Sequence, residues 1–464
     1  MEQELKKAII RIVGPEKFSD LLIDRVSHGY DASSHHHRPD ASVWPTHTRE
    51  VSELLKLAYT RRLPVTPRGA GTGLAGSAIP IRSGIVLDLC RMNRIIDIRV
   101  PDRIAIVAPG VVYQDLQKAL APYDFFFPPD PASGKACTIG GNVATNAGGL
   151  KGAKYGVTRD YVLGLEVVLA DGRVMRCGSN CMKSVSGYDL THLFVGSEGS
   201  LGVITEITLK IHPKPQAVCT ASAMFDGIET AGRCVADILR SGIIPSVLEI
   251  LDENTLNVLR HHSRASLPDG RAMILVETDG YTEAETRFQM ERVVGVFQKR
   301  RSLAIHTARS AEESEHLWQA RRIAGSVAAK LRPGNVSEDV AVPVSRIPEL
   351  LKGISEIVRD HDLPFVVFGH AGDGNLHPKI MYDPTDEDEV RRMKDASDEI
   401  FNLTCRLDGT LTGEHGIGLA KAPYMRLEHD AVSLEVMSDL KTLFDPLNIL
   451  NPGKMGLNHP KTRS

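Results

Sequence analysis

The chain has 464 residues, with 55 basic and 58 acidic side chains and a net charge of −3. That length suits two or three domains of about 100–200 residues each, and the balanced charge, without a basic stripe, excludes nucleic acid as an expected partner. Seven cysteines at 90, 137, 177, 181, 219, 234 and 405, an odd count without C-x-x-C spacing, argue against a disulfide framework or an iron–sulfur cluster and point to a reducing cytoplasm.

The opening residues mix charges around a short apolar stripe and lack the apolar core and cleavage site of a signal peptide. No stretch reaches the ~18 apolar residues of a membrane span, so a soluble protein is expected, at most peripheral to a membrane. Segments 4–13 and 49–61 read as amphipathic helices; in the second, Val51, Leu54, Leu55 and Ala58 share one face. Apolar runs punctuated by Gly and Pro at 63–67, 84–89, 95–100 and 103–110 predict strands. Residues 112–123 predict a helix closed by Pro122, 161–175 a hairpin turning at Asp171-Gly172, and 201–215 a strand ending at prolines. Up to about residue 215 the pattern is α+β with one or two mixed sheets. Beyond it, strands at 220–225, 246–251, 271–278 and 364–370 alternate with charged helices at 230–242, 283–301 and 386–407. This predicts a second α+β region with its helices on one sheet face. A last helix, 432–446, precedes an ordered tail, LNILNPGKM.

Three glycine-rich stretches interrupt the first region. Gly71-Thr72-Gly73-Leu74-Ala75-Gly76 is a literal G-x-G-x-x-G, but Pro80 and Gly84 break the helix that a Rossmann turn requires, and a strand follows. What remains is a loop whose backbone N–H groups cradle a pyrophosphate. In 128–149, the small residues Ala132, Ser133, Thr138, Gly140, Gly141, Asn142, Thr145, Asn146 and Gly148 let backbone approach a flat ring system. Ser197, Glu198, Gly199 and Gly202 form the third piece. Three such loops call for one large, extended ligand.

Farther on, VVFGHAGDGNLHPKI (366–380) sets His370 and His377 around a glycine turn, and TGEHGIG (412–418) adds Glu414 and His415. Two imidazoles and a carboxylate suit zinc, manganese or iron(II), and the remaining histidine suits a general base. A cofactor site with such a cluster implies redox chemistry on a small polar molecule. For a carboxylate substrate, HLWQARRIAG offers Arg321 and Arg322. Glu249 and Glu277 lie on apolar strands and read equally as site walls or solvent-facing residues. His35, His36 and His37 read as surface loop.

RGAGTGLAG, PPDPAS, TIGGNVATNAGG, KYGVTRDYVLGLEVVLADG, GSEGSLGVITEITLK, GHAGDGNLHP, GEHGIG and NPGKM, in this order from about Trp44 to Met455, closely resemble the motifs of FAD-dependent 2-hydroxyacid dehydrogenases. This is the D-lactate dehydrogenase and glycolate oxidase flavoprotein-subunit family, of the vanillyl-alcohol oxidase type. The resemblance implies an α+β fold. A two-subdomain FAD-binding domain would occupy 1–215 (PCMH-type core about 38–215), an α+β substrate or cap domain 216–410, and a C-terminal segment, 411–464, would complete the flavin site. By resemblance Pro67, Arg68, Gly69, Ala70, Gly71, Thr72 and Gly73 hold the cofactor's pyrophosphate end, with Gly76 and Ser77 continuing the turn. Pro131, Ala132, Ser133, Thr138, Gly140, Gly141, Asn142, Ala144, Thr145 and Asn146, with Glu198, Gly202, Val203 and Ile204, belong to the same cofactor site, and Asn451 reaches it from the tail. Residues 66–80 contain no His or Cys, so the FAD is expected to be non-covalent.

The same resemblance makes His370, His377 and Glu414 ligands of a divalent metal (Zn, Mn or Fe), His415 the base and Arg321 the substrate-carboxylate residue. The implied reaction oxidises a small D-2-hydroxy acid, D-lactate before glycolate, to the 2-keto acid with hydride transfer to flavin N5. Hydroxyglutarate-oxidising relatives are expected to carry a lysine shortly before the strand matching 340–343; here NVSEDVAVP has Ser337 and no lysine, which favours a small substrate. The alternatives are D-2-hydroxyglutarate or another larger D-2-hydroxy acid, the flavoprotein subunit of a multi-subunit glycolate oxidase, a non-redox flavoenzyme like the alkylglycerone-phosphate synthases, and a metallohydrolase argued from His/His/Glu alone. Electrons would leave to an iron–sulfur subunit, an electron-transfer flavoprotein, a quinone, a cytochrome or oxygen. A homodimer is compatible with the sequence.

Overall fold

The protein is described here by a computed structural model covering residues 1–263 and 267–457. The chain divides into two compact units, one of residues 1–148, 157–214 and 414–464, the other of residues 149–156 and 215–413.

The first unit contains two sheets. β1 (Phe18–Ser19), β2 (Ala41–Val43), β3 (Val65–Arg68) and β4 (Ile85–Asp88) lie in the order β1-β2-β4-β3, with β4 parallel to both neighbours. Helix Thr48–Arg61 makes the crossover from β2 to β3, the two strands that flank β4. The face predicted for it, Val51, Leu54, Leu55 and Ala58, is buried in one core with Ile9 and Val13 of helix Gln3–Val13. The second sheet is antiparallel. It consists of β5 (Ile95–Arg99), β6 (Ile104–Val107), β8 (Val162–Val168), β9 (Val174–Gly178) and β10 (Val203–Lys210), ordered β5-β6-β10-β8-β9. β7 (Phe125–Phe126) pairs separately with β11 (His212–Pro213), so the strand predicted over 201–215 stops at Lys210 and its proline end joins a second, two-stranded ribbon. The predicted helix at 112–123 is α-helical over Tyr113–Leu120 and tightens to a 3-10 turn at Ala121–Tyr123, around Pro122.

A short helix, Ile139–Thr145, stands where the sequence suggested only loop. Thr138 starts it by accepting the Gly141 N–H on its Oγ1 at 3.3 Å, and Asn146, at φ +53°, ends it.

A buried ion pair ties the tail into this unit. Lys441, 3% exposed, donates from Nζ to Asp445 and to the carbonyls of Ser200 and Leu450, both at 2.8 Å. Asp445 in turn accepts the Ile449 and Leu450 N–H groups at 3.0 and 2.7 Å. The segment so fixed runs beside β3, with Val65 N–H on the Ile449 carbonyl and Asn451 N–H on the Val65 carbonyl, both 2.8 Å.

The second unit is built on one antiparallel sheet. β12 (Ala217–Phe225), β13 (Val247–Leu251), β14 (Ala272–Gly280), β15 (Ala304–Thr307), β16 (Gly334–Ser337), β18 (Phe365–His370) and β19 (Asn375–Tyr382) run in the order β15-β12-β14-β13-β18-β19-β16, and β17 (Val340–Ala341) also pairs with β19. Contrary to the one-sided reading, helices cover both faces. Helices Glu253–His262 and Ala311–Ala328 bury Leu256, Leu259, Trp318, Ala324 and Ala328 against Val247, Leu275, Val366 and Phe368. On the opposite face, Phe297 of helix Glu283–Lys299 meets Phe225 edge-on. β19 is hidden in the sequence by Pro378, which sits inside it, since a proline within a run argues against a strand. Here Pro378 lies opposite Val367, and its carbonyl accepts the Glu338 N–H at 2.8 Å. Among the described residues no helix is long and apolar enough to cross a membrane.

Asp445→Ala is expected to leave the Lys441 charge buried without its partner and to lower unfolding stability by about 3–5 kcal/mol, read as a shift of the urea midpoint. An unchanged midpoint would show that the tail is held by its backbone bonds alone.

Candidate functional site

In the first unit a cavity of about 450 Å³ opens where the glycine loops meet. This volume lies within the range of sites for organic cofactors. Its wall holds Pro67 to Leu74, Ser77, Pro131, Ala132, Ser133, Gly140, Gly141, Asn142, Ala144, Thr145, Glu198, Gly202, Val203 and Ile204. No helix starts at the G-x-G-x-x-G; β4 follows it instead. Gly71 is at φ +68°, and a Cβ there would strike the Arg68 guanidinium, so glycine is what lets loop backbone and cation share the cavity's edge. Arg68 is 8% exposed and donates to the Tyr30 carbonyl at 2.8 Å. Burial pulls its pKa down, and Asp88 and Asp31 oppose that. Asn142, also in the wall, is 3% exposed, and its Nδ2 is buried without a hydrogen-bond partner. A cation, a row of accessible backbone and an unsatisfied amide donor suit a ligand with a pyrophosphate and a ring rich in acceptors, which FAD is.

Glu414 and His415 also line this cavity. Glu198 fixes their loop. Its carboxylate, 4% exposed, accepts Ile417 N–H at 2.7 Å, Gly418 N–H at 3.0 and 2.9 Å, and the Ser77 hydroxyl at 2.8 Å. Burial pushes the Glu198 pKa up, and those donors only partly offset it. Asn451 closes the arrangement by donating from Nδ2 to the Ser77 and Glu198 carbonyls at 2.8 and 2.6 Å. Four residues read as cofactor contacts lie outside the cavity wall. Asn451 braces it, Thr138 and Asn146 cap the helix beneath it, and Gly76, at φ +79°, turns the loop beside the half-buried His35. The wall also takes in Leu89, Pro109, Cys137, Ala147, Gly148 and Gly199; apart from Gly148 and Gly199, no chemical signal in the sequence marks them.

In the second unit, His370 ends β18 and His377 lies on β19, joined by a turn in which Gly374 adopts φ +86° against the Val342 carbonyl. Their ring centroids are 5.1 Å apart and nearly perpendicular. Both residues are buried. His370 Nδ1 meets Glu249 Oε1 at 2.5 Å, and Arg321 donates from Nε to the other oxygen of the same carboxylate. Glu249 is fully buried, neither solvent-facing nor a bare wall. Burial alone would raise its pKa, but the Arg321 charge and the His370 hydrogen bond outweigh that and hold it at about 2. The Arg321 guanidinium stacks 4.6 Å from the Phe368 ring. Arg322, by contrast, is exposed and pairs with Glu315. Glu277 is half-buried, accepts from Ser246 at 3.3 Å, and has its pKa raised by burial. Asp339, fully buried, accepts from Asn375 at 2.7 Å and Thr412 at 2.6 Å and lies 3.7 Å from His377 Nδ1. The fixed Nδ1 of His370 directs that ring's Nε2 away from Glu249, as a metal ligand requires. Two close, buried imidazoles therefore fit a divalent metal.

Two family profiles match the sequence, "FAD binding domain" over residues 39–178 and "FAD linked oxidases, C-terminal domain" over residues 214–455. The chain belongs to the FAD-linked oxidases. It is 44% identical over 455 residues to glycolate oxidase subunit GlcD of Bacillus subtilis, covering 98% of this chain and 97% of that one. It is also 34% identical over 417 residues to D-lactate dehydrogenase of Archaeoglobus fulgidus, covering 89% and 90%. Among solved structures, p-cresol methylhydroxylase matches with a TM-score of 0.81 at 18% identity over 98% of this chain and 96% of that one. Alkyldihydroxyacetonephosphate synthase matches with a TM-score of 0.76 at 20% identity over 98% and 85%. These likenesses give this FAD-linked oxidase the vanillyl-alcohol oxidase type of fold.

Two substitutions test the buried carboxylates of this oxidase. Glu198→Gln puts an amide where three donors converge and should cost about 1–3 kcal/mol together with a lower flavin-to-protein absorbance ratio; full flavin retention would remove the loop-fixing role. Glu249→Gln leaves Arg321 with an uncompensated charge and should lower stability by about 3–5 kcal/mol in urea.

Proposed function

We propose that this protein oxidises a small D-2-hydroxy acid, of the class of D-lactate and glycolate, to the corresponding 2-keto acid, with FAD bound non-covalently. The observation that carries the reading is His415 in the wall of the cavity that fits FAD, on a loop fixed from behind by Glu198. The names of the relatives, glycolate oxidase subunit and D-lactate dehydrogenase, support the substrate class.

His415 accepts the proton of the substrate hydroxyl, the step that lets the carbon–hydrogen bond deliver its electron pair. Bound FAD supplies the two-electron acceptor for that pair. Arg321, oriented by Glu249 and Phe368, presents the rest of its guanidinium fork to the substrate carboxylate. His370 and His377, with Glu414 as in the family motif, would hold zinc, manganese or iron, which lowers the pKa of an alcohol as it does that of water. Glu249 keeps His370 in the tautomer that such binding needs.

The electrons then pass to a separate acceptor. The word "subunit" in the glycolate oxidase names favours a protein partner, an iron–sulfur subunit or electron-transfer flavoprotein, over free quinone. The seven free cysteines suit the cytoplasm.

Anaerobic addition of D-lactate to the purified protein should bleach the visible flavin band. Chelation should slow the bleaching, and zinc, manganese or iron(II) should restore it. His415→Asn should slow flavin reduction about 10²–10⁴-fold. A yellow protein that no 2-hydroxy acid bleaches would overturn the reading, and an unchanged rate in the variant would overturn the base assignment.

A further inference from the structure

On β19, His377 and Lys379 are two residues apart, so their side chains leave the same sheet face about 7 Å apart along the strand. Lys379 is the register partner of Ser337 on β16. A cation thus stands directly across from the position where the sequence appeared to lack one. Its Nζ donates to the Gly325 carbonyl at 3.1 Å, and among the described residues it makes no ion pair. Arg321, one helical turn before Gly325, differs in having part of its fork committed to Glu249. Gly325 brings its backbone close to both groups, its Cβ position lying at contact distance, 3.4 Å from Phe368 Cζ and 4.0 Å from Lys379 Nζ. Phe368 is the floor between the two cations and the histidines, its ring 6.3 Å from that of His377 and under the Arg321 guanidinium.

We propose that Lys379 is a specificity-determining residue that binds a second carboxylate of the substrate, so that the favoured members of the 2-hydroxy acid class are short dicarboxylic acids. This rests on the 2-hydroxy acid reading above. With the hydroxy-acid end at the histidine pair and Arg321, Lys379 on the same sheet face can meet the second carboxylate of a four- or five-carbon diacid, whereas lactate and glycolate have nothing to offer it. A half-buried lysine without a counter-ion is also costly unless an anion completes it.

The test compares wild type, Lys379→Met and Lys379→Arg. Each is reduced anaerobically with D-lactate, D-2-hydroxysuccinate and D-2-hydroxyglutarate, and binding of pyruvate and 2-ketoglutarate is measured by calorimetry. Wild type should be reduced more efficiently by a diacid than by D-lactate and should bind 2-ketoglutarate more tightly than pyruvate. Lys379→Met should lower both diacid-to-monoacid ratios about ten- to a hundredfold, the worth of one charge-assisted hydrogen bond, and Lys379→Arg should keep most of the preference. Ratios that favour D-lactate in wild type, or that do not move in Lys379→Met, overturn the role of Lys379 while leaving the 2-hydroxy acid reading intact. Flavin that no 2-hydroxy acid reduces overturns both.

Discussion

The first unit depends on a carboxylate with almost no access to water. Glu198 sits at φ +52°, a backbone conformation that non-glycine residues rarely adopt. From there it gathers Ser77 and the amides of Ile417 and Gly418, while Asn451 grips its carbonyl. Four segments distant in sequence are thereby fixed around one cavity. The Lys441–Asp445 pair fixes the segment bearing Asn451, so one polar chain runs from the last helix to the loop that holds His415.

Glu249 shows how differently a second buried carboxylate can behave. Arg321 is a full cation, and its attraction together with the hydrogen bond from His370 exceeds the cost of removing the charge from water, so the pKa of Glu249 is held at about 2. The partners of Glu198 are N–H and O–H dipoles, and there desolvation wins. Asp252, held by Thr255 and the Val367 amide, follows the dipole case and rises to about 6. The direction of the shift thus follows from whether a donor carries a full charge. The permanent charge of Glu249 is what allows it to orient an imidazole and a guanidinium at once.

Local pattern made much of the fold legible. The buried face of helix Thr48–Arg61 and the hairpin at Asp171-Gly172 follow from periodicity and turn chemistry, because each is decided by neighbours within a few residues. The glycine loops announced a large ligand because glycine is costly without a purpose. Less was legible where a role depends on a distant partner. Glu249 gave no sign of facing solvent or site until β13 was paired with β18, and Pro378 hid β19 and with it the face that Lys379 shares with His377. Thr138, Asn146 and Asn451 bear the residue types of a binding loop, and the structure also gives them work as caps and braces, which the sequence did not show because both jobs need small polar side chains.

The order of the chain through the two units bears on how the protein emerges from a ribosome. The second unit, apart from residues 149–156, is one continuous stretch, 215–413, inserted within the first. The nascent chain can therefore complete the large antiparallel sheet while the cavity still lacks residues 414–451. The amides that satisfy Glu198 arrive only with the final tenth or so of translation. Until then the flavin-binding half carries buried polar groups without their partners, so flavin capture is a late event, and a chain truncated before Lys441 would yield a folded insert on an unfinished host.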